Sequence, residues 1–151
     1  MSSIATSFMT VKAFFDTNVL VYALAVRAGS PVDLRTVKAE QMLSLGGMVS
    51  VQVLNEFADV LSWKLKMDWD AIEGCLDVID ALCGRAIPLT AETNRAAVDL
   101  SKRHRFRIYD SLILAAAVAA GCTTLLTEDL QHGQIVEGVR IENPFLPTQI
   151  P

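Results

Sequence analysis

The 151-residue chain has little of what most catalytic and secretory signatures need: two histidines, three cysteines, eight glycines and five prolines. Cys75, Cys83 and Cys122 form no C-x-x-C motif and cannot all pair with one another. Cys75 and Cys83 fall on one expected helix, about 12 Å apart along its axis at 1.5 Å per residue, which is too far for a disulfide. All three read as small buried hydrophobes of a reducing cytoplasm. No G-x-S-x-G is present for a serine hydrolase. No P-loop or G-x-G-x-x-G is present to cradle a nucleotide. Met1 to Thr10 lacks the basic start and long apolar core of a signal peptide, so residues 1–10 are expected to form a flexible extension. The most apolar run, Leu112 to Leu126, is too short for an ordinary membrane span and is broken by Gly121 and two threonines. No membrane partner is expected. Positive charge is also scarce: the formal net charge of −4 argues against indiscriminate nucleic-acid affinity, though a local basic patch remains open.

What is present is apolar sequence, 52% of the chain, enough for one compact domain over residues 11–151. Lys12 to Phe15 reads as a first strand, followed by a short helix from Val19 to Ala25. Ser30-Pro31 is a strong helix start, and that helix should end at Gly46-Gly47. Met48-Val49-Ser50 is a second short strand. After it, Val53, Leu54, Phe57 and Leu61 recur at helical spacing, with Glu56 off the stripe. Asp68 should cap a helix that turns Ile72, Leu76, Ile79 and Leu82 inward and stops at Gly84. Arg85 to Leu89 is a third strand, placed at a sheet edge because Pro88 cannot donate a ladder hydrogen bond. Thr90 caps a helix running to about Lys102, and an alanine-rich helix opens at Tyr109-Asp110. Thr123 to Thr127 and Val139 to Glu142 complete five strands before an irregular tail. Strands alternating with helices imply a three-layer α/β/α domain with a mostly parallel sheet.

On that scaffold Asp16 ends the first strand and Asp129 lies just past the fourth, at the sheet edge where ligands of parallel α/β folds bind. Glu56 and Asp110 each sit early in a helix, and helical side chains lean toward the N-terminus. Four carboxylates should therefore meet at one end of the sheet. Crowded like charges raise one another's pKa values, and a divalent cation makes such a cluster tolerable. Oxygen ligands without paired His or Cys suit Mg²⁺ or Mn²⁺ rather than Zn²⁺. Asn18, Ser50 and Thr127 share that edge and are placed to orient carboxylates or waters. Any one of these acids, taken singly, is more often a helix cap or a solvated residue, and Asp110 alone could serve as a helix-dipole partner. Their convergence is the signal.

Phe15-Asp16-Thr17-Asn18, Ser50 with Asn55-Glu56, Tyr109-Asp110-Ser111 and Leu126-Thr127-Glu128-Asp129, in this order, resemble the PIN-domain family of metal-dependent ribonucleases, and within it the VapC-type toxins. The resemblance implies a sheet in the order 3-2-1-4-5. It implies an acidic quartet of Asp16, Glu56, Asp110 and Asp129 holding one or two Mg²⁺ or Mn²⁺ ions, with Asn18 and Thr127 in support. Asp129 fits the family's Thr-x-Asp pattern, and Glu128 stands in reserve. RNA as substrate, a cognate antitoxin and a homodimer follow as partners, and the family's start near the first strand makes Met9 a candidate initiator.

The chemistry then expected is in-line attack on a phosphodiester at the cations, with neither His104 nor His132 required. Lys102, Arg103, Arg105 and Arg107 precede Asp110 and could hold flanking phosphates; each could equally serve a helix C-terminus. A receiver-like phosphoacceptor domain shares the layout, but it wants an acidic neighbour for Asp16 and a lysine near the last strand, and Val139-Arg140-Ile141 offers none. A binding module with an inactive site is the third reading. Trp63 and Trp69 are expected as core or half-buried anchors, ahead of a place in an oligomer or antitoxin surface.

Overall fold

Phe14 and Phe15 point to opposite faces of one strand, and neither has any exposed surface. A sheet with both faces dry must carry cover on both sides. In the computed structural model, which describes residues 12–25 and 33–147, that strand is β1 (Ala13–Phe15). Burying each phenylalanine contributes about 1.5–3 kcal/mol, which holds so short a strand in place.

Beside it lies β2 (Thr124–Leu126), parallel to β1 with Phe14 opposite Leu125. β4 (Val139–Glu142) continues the parallel sheet, with Leu125 opposite Ile141. β3 (Ile135–Val136) closes the edge antiparallel to β4, so the sheet order is β1-β2-β4-β3. The turn joining β3 to β4 holds Glu137 at φ 50° and Gly138 at φ 80°. Two positive φ values in a row are what a tight hairpin of matching twist requires.

On the other side of β1 the expected second and third strands shrink to single parallel bridges, Phe14 to Met48 and Ser50 to Ile87. Phe15 N donates to Met48 O at 2.9 Å and Ile87 N to Val49 O at 2.9 Å. Counting those bridges, the order 3-2-1-4-5 holds, with the Pro88 segment at the edge. The sheet proper has four strands rather than five, and one of them, β3, was not expected. Met48 alone bridges β1 and Ser50 alone bridges Ile87, so the segment between Gly47 and α3 changes partner within three residues and forms no ladder with either.

The helices are α1 (Thr17–Leu24), α2 (Leu34–Ser44), α3 (Val51–Asp59), α4 (Trp69–Cys83), α5 (Ala91–His104) and α6 (Ile108–Ala119). A π-helical turn, Val60–Lys64, extends α3. Ser50, Asp68 and Thr90 cap α3, α4 and α5, accepting from the backbone N–H groups of Val53, Ala71 and Thr93. α1 starts two residues earlier than its apolar pattern suggests, because Asp16 itself caps it through Thr17 N. α2 is capped by Asp33; Ser30-Pro31, like residues 1–10, lies outside the described residues. Leu82 is 42% exposed instead of inward. Trp63 and Trp69 are exposed as well, at 71% and 67%, and anchor no core. All three cysteines are free. Among the described residues no helix is long and apolar enough to cross a membrane.

Candidate acidic site

Asp16 follows β1 directly, and its backbone N donates to Leu126 O of β2 at 3.0 Å. That pins its carboxylate at the junction of the two central strands. One oxygen, Oδ1, accepts from Thr17 N at 2.6 Å. The other, Oδ2, accepts from Thr127 Oγ1 at 2.6 Å and from Asn18 Nδ2 at 3.3 Å. The residue is 4% exposed. Burial pushes its pKa from 3.8 up to about 7, against the pull of the Thr127 and Thr17 hydrogen bonds and with a push from the charges of Asp129 and Glu56. The desolvation cost outweighs two short hydrogen bonds, which marks a carboxylate short of positive charge.

Thr127 is fully buried and does two jobs: its hydroxyl donates to Asp16 and accepts from Asp129 N at 3.0 Å. Asn18, on the first turn of α1, links the same two acids, donating through Nδ2 to Asp16 and to Asp129 Oδ2 at 3.1 Å. Its own Oδ1 is buried and has no hydrogen-bond partner among the described residues. Glu56 reaches in from α3 and accepts from Thr17 Oγ1 at 2.9 Å. Burial raises its pKa, opposed by hydrogen bonds from Thr17 and Gln52 and reinforced by Asp110 and Asp129. Asp110, in the first turn of α6, is raised by burial and by Asp129, with Arg107 pulling the other way.

These acids share a cleft of about 440 Å³, which Glu128 and Lys64 also border. An adjoining recess of about 420 Å³ is walled by Glu56, Asp110, Asp129, Arg107 and Tyr109. All four residues of the expected quartet thus meet at the C-terminal edge of β1 and β2. Glu128 lines the cleft but is turned toward Tyr22, whose hydroxyl donates to its Oε1 at 2.8 Å. Ser50 is buried, and its Oγ accepts from Val53 N at 3.3 Å. It aims the helix that carries Glu56 rather than contacting an acid.

Of the basic cluster, Arg107 alone borders the acids. Arg103 pairs with Asp99 and Glu137, both at 2.8 Å. Arg105 ends α5 in the left-handed conformation, its N–H donating to Ser101 O. Lys102 is exposed on the last turn of α5. His104 stacks on Phe106, and His132 Nδ1 accepts from Asn143 N.

Lys64, Gln52 and Tyr22 escaped the sequence reading, and for the last two a local signal existed. Gln52 precedes Glu56 by one helical turn and pulls its pKa down, and Tyr22 follows Asn18 by one turn and holds Glu128. The i,i+4 spacing from an already suspected residue was the available signal.

The metal question can be put to the donors themselves. Among the described residues no three His, Cys, Asp or Glu side chains form a ready-made cage. The cleft does offer oxygen donors, crowded carboxylates with raised pKa values and the unpartnered Asn18 Oδ1. That set fits a hard divalent cation that keeps some of its water.

An α/β protein with an acidic cleft at the end of a parallel sheet is the class so far defined. The chain belongs to the PIN domain family, whose profile matches residues 13–137 and so spans all four acids. No curated protein sequence matches it. Among solved structures it shares its fold with the Mycobacterium tuberculosis toxin VapC20, described as cleaving the sarcin-ricin loop. That match has 21% identity and a TM-score of 0.60, over 78% of this chain and 92% of the other. It also resembles VapBC2 from Rickettsia felis bound to a promoter DNA fragment, at 21% identity and TM-score 0.60, covering 87% and 97% of the two chains. A toxin–antitoxin complex from Klebsiella pneumoniae matches at 19% identity and TM-score 0.65, over 89% of this chain and 98% of that one.

Proposed function

We propose that this protein is a Mg²⁺- or Mn²⁺-dependent endoribonuclease, the toxin of a toxin–antitoxin pair. The observation that carries this reading is the convergence of Asp16, Glu56, Asp110 and Asp129 on one cleft in which the buried Asp16 is held near pKa 7. A cation held there would supply the positive charge that attack on a phosphodiester and departure of the leaving oxygen require. Asp16, Glu56, Asp110 and Asp129 would hold one or two such ions, with Asn18 Oδ1 a further oxygen donor. Thr127 and Asn18 orient the Asp16 carboxylate, and Thr17 and Gln52 orient Glu56. Arg107 and Lys64 flank the acids and temper their repulsion of a phosphate backbone.

A cognate antitoxin as partner is supported by neighbours that are themselves toxin–antitoxin assemblies. A homodimer, working in the cytoplasm, belongs to the same reading.

The test is cleavage of structured and single-stranded RNAs with Mg²⁺, Mn²⁺ or EDTA, comparing wild type with Asp16→Asn and Asp110→Asn. Cleavage is expected only with cation and only in the wild type. Persistent activity in both variants, or activity in EDTA, overturns the mechanism. RNA binding without cleavage under any cation would instead identify an inactive binding module.

A further inference from the structure

Two tyrosines border the acids, and only one of them is engaged. The Tyr22 hydroxyl donates to Glu128 at 2.8 Å, its ring meets Phe145 edge-on at 4.9 Å, and the Arg35 guanidinium lies over it at 4.8 Å. Tyr109 is 60% exposed, and among the described residues its ring and hydroxyl have no side-chain partner. The cations divide in the same way. Arg103 is held by two carboxylates, whereas Arg107 enters no ion pair among the described residues and makes no side-chain cap at the start of α6. Both free groups open onto one recess, whose remaining walls are Glu56, Asp110 and Asp129.

An aromatic face and a guanidinium spaced two residues apart match the two recognition elements of single-stranded nucleic acid, base and phosphate. Bases inside a duplex have both faces covered, so a ring at the rim of a cleft can be met only by a nucleotide out of the stack.

We propose that Tyr109 and Arg107 form a nucleotide subsite beside the acids, in which an unpaired RNA base stacks on the Tyr109 ring and its phosphate meets Arg107. The proposal rests on the nuclease reading and narrows its substrate to RNA with an unpaired nucleotide next to the scissile bond. Lys64 borders the adjoining cleft, so each of the two cavities at the carboxylates has a cation on its wall.

The test uses a single-stranded oligoribonucleotide carrying 2-aminopurine, with two readouts: fluorescence quenching on binding, and KM and kcat for cleavage with Mn²⁺. Tyr109→Ala is expected to lose the quenching and to raise KM about tenfold while kcat changes much less. Tyr109→Phe, which keeps the ring, should restore the quenching. Arg107→Ala should weaken binding and lower the salt slope by about one. Trp69→Ala removes an equally exposed ring that borders neither recess, and should change neither readout. Should Tyr109→Ala melt early, Tyr109→Leu, which keeps an apolar side chain without an aromatic face, carries the comparison. If wild type cleaves RNA and both Tyr109→Ala and Tyr109→Leu match it in quenching and KM, the subsite is overturned and the nuclease reading stands. If quenching depends on Trp69 instead, the base lies elsewhere and the subsite is again overturned. If wild type neither binds nor cleaves the oligonucleotide with any cation, the nuclease reading fails and the subsite with it.

Discussion

Thr127 donates a buried 2.6 Å hydrogen bond to Asp16 across 111 positions of sequence. The bond joins the end of the first strand to the end of the second, and it opposes the burial that raises the Asp16 pKa. Thr127→Val removes the donor while keeping the shape. The carboxyl should then titrate above its wild-type value near 7, and cleavage should set in at correspondingly higher pH, whereas Thr127→Ser keeps both near wild type. ¹³C NMR titration of the side-chain carboxyl in the cation-free protein reads the shift directly. An unchanged or lower value would mean that the hydrogen bond does not tune this acid.

Stability of the cation-free protein should fall with rising pH. Asp16 has a folded-state pKa near 7 against 3.8 for the free carboxyl, so it binds its proton more tightly when folded. Its contribution is fully present below pH 3.8 and is lost as pH rises toward 7, on the order of a few kcal/mol. Glu56 and Asp110 are raised too and act in the same direction. Melting in EDTA should show a steeper loss across this window for wild type than for Asp16→Asn. Mg²⁺ or Mn²⁺ should recover the loss at neutral pH through preferential binding to the folded state. A flat difference between the two proteins would contradict the buried-carboxyl account.

Asp129 and Glu128 should separate when neutralised one at a time. Asp129 is tied to Asn18 and Thr127 beside Asp16, while Glu128 is held by Tyr22. Asp129→Asn is expected to abolish most of the cation-induced rise in melting temperature, and Glu128→Gln to leave the larger part of it. The reverse ranking would move the cation toward Glu128.

Gly47 is where the sheet edge leaves no room for a side chain. A Cβ there would lie 2.5 Å from Phe15 Cε2 and 2.9 Å from Ala13 O. Gly47→Ala should therefore cost about 1–3 kcal/mol by overpacking, measured by urea titration. Because Phe15 immediately precedes Asp16, cleavage should fall further than the unfolded fraction accounts for. Wild-type activity in a destabilised Gly47→Ala protein would separate strand position from carboxylate position.

The acids were legible in the sequence because each sits just past the end of a buried strand or within the first two turns of a helix, and those boundaries have strong local signals in Phe14-Phe15, Ser50 and Thr124-Leu125-Leu126. Helix caps at Asp68 and Thr90 were readable for the same reason. What escaped depends on contacts between distant segments. Arg103 looks like a free cation until the β3–β4 turn brings Glu137 against it, and a two-residue strand with Ile135 66% exposed gives almost no pattern to find. Trp63, Trp69 and Leu82 are apolar residues left outside, and hydrophobicity alone places them inside. The Tyr22–Glu128 bond joins α1 to the loop after β2; spacing from Asn18 points to Tyr22 but not to its partner.

The parallel order of the sheet also sets the time at which the acidic cleft can form. β1 is made first, yet its partner β2 and the carboxylate of Asp129 are among the later parts synthesised. Until that segment has left the ribosome, Asp16 has neither Thr127 nor Leu126 O to fix it. A growing chain therefore carries its acids apart, and the cleft comes into being late, when the second strand docks beside the first.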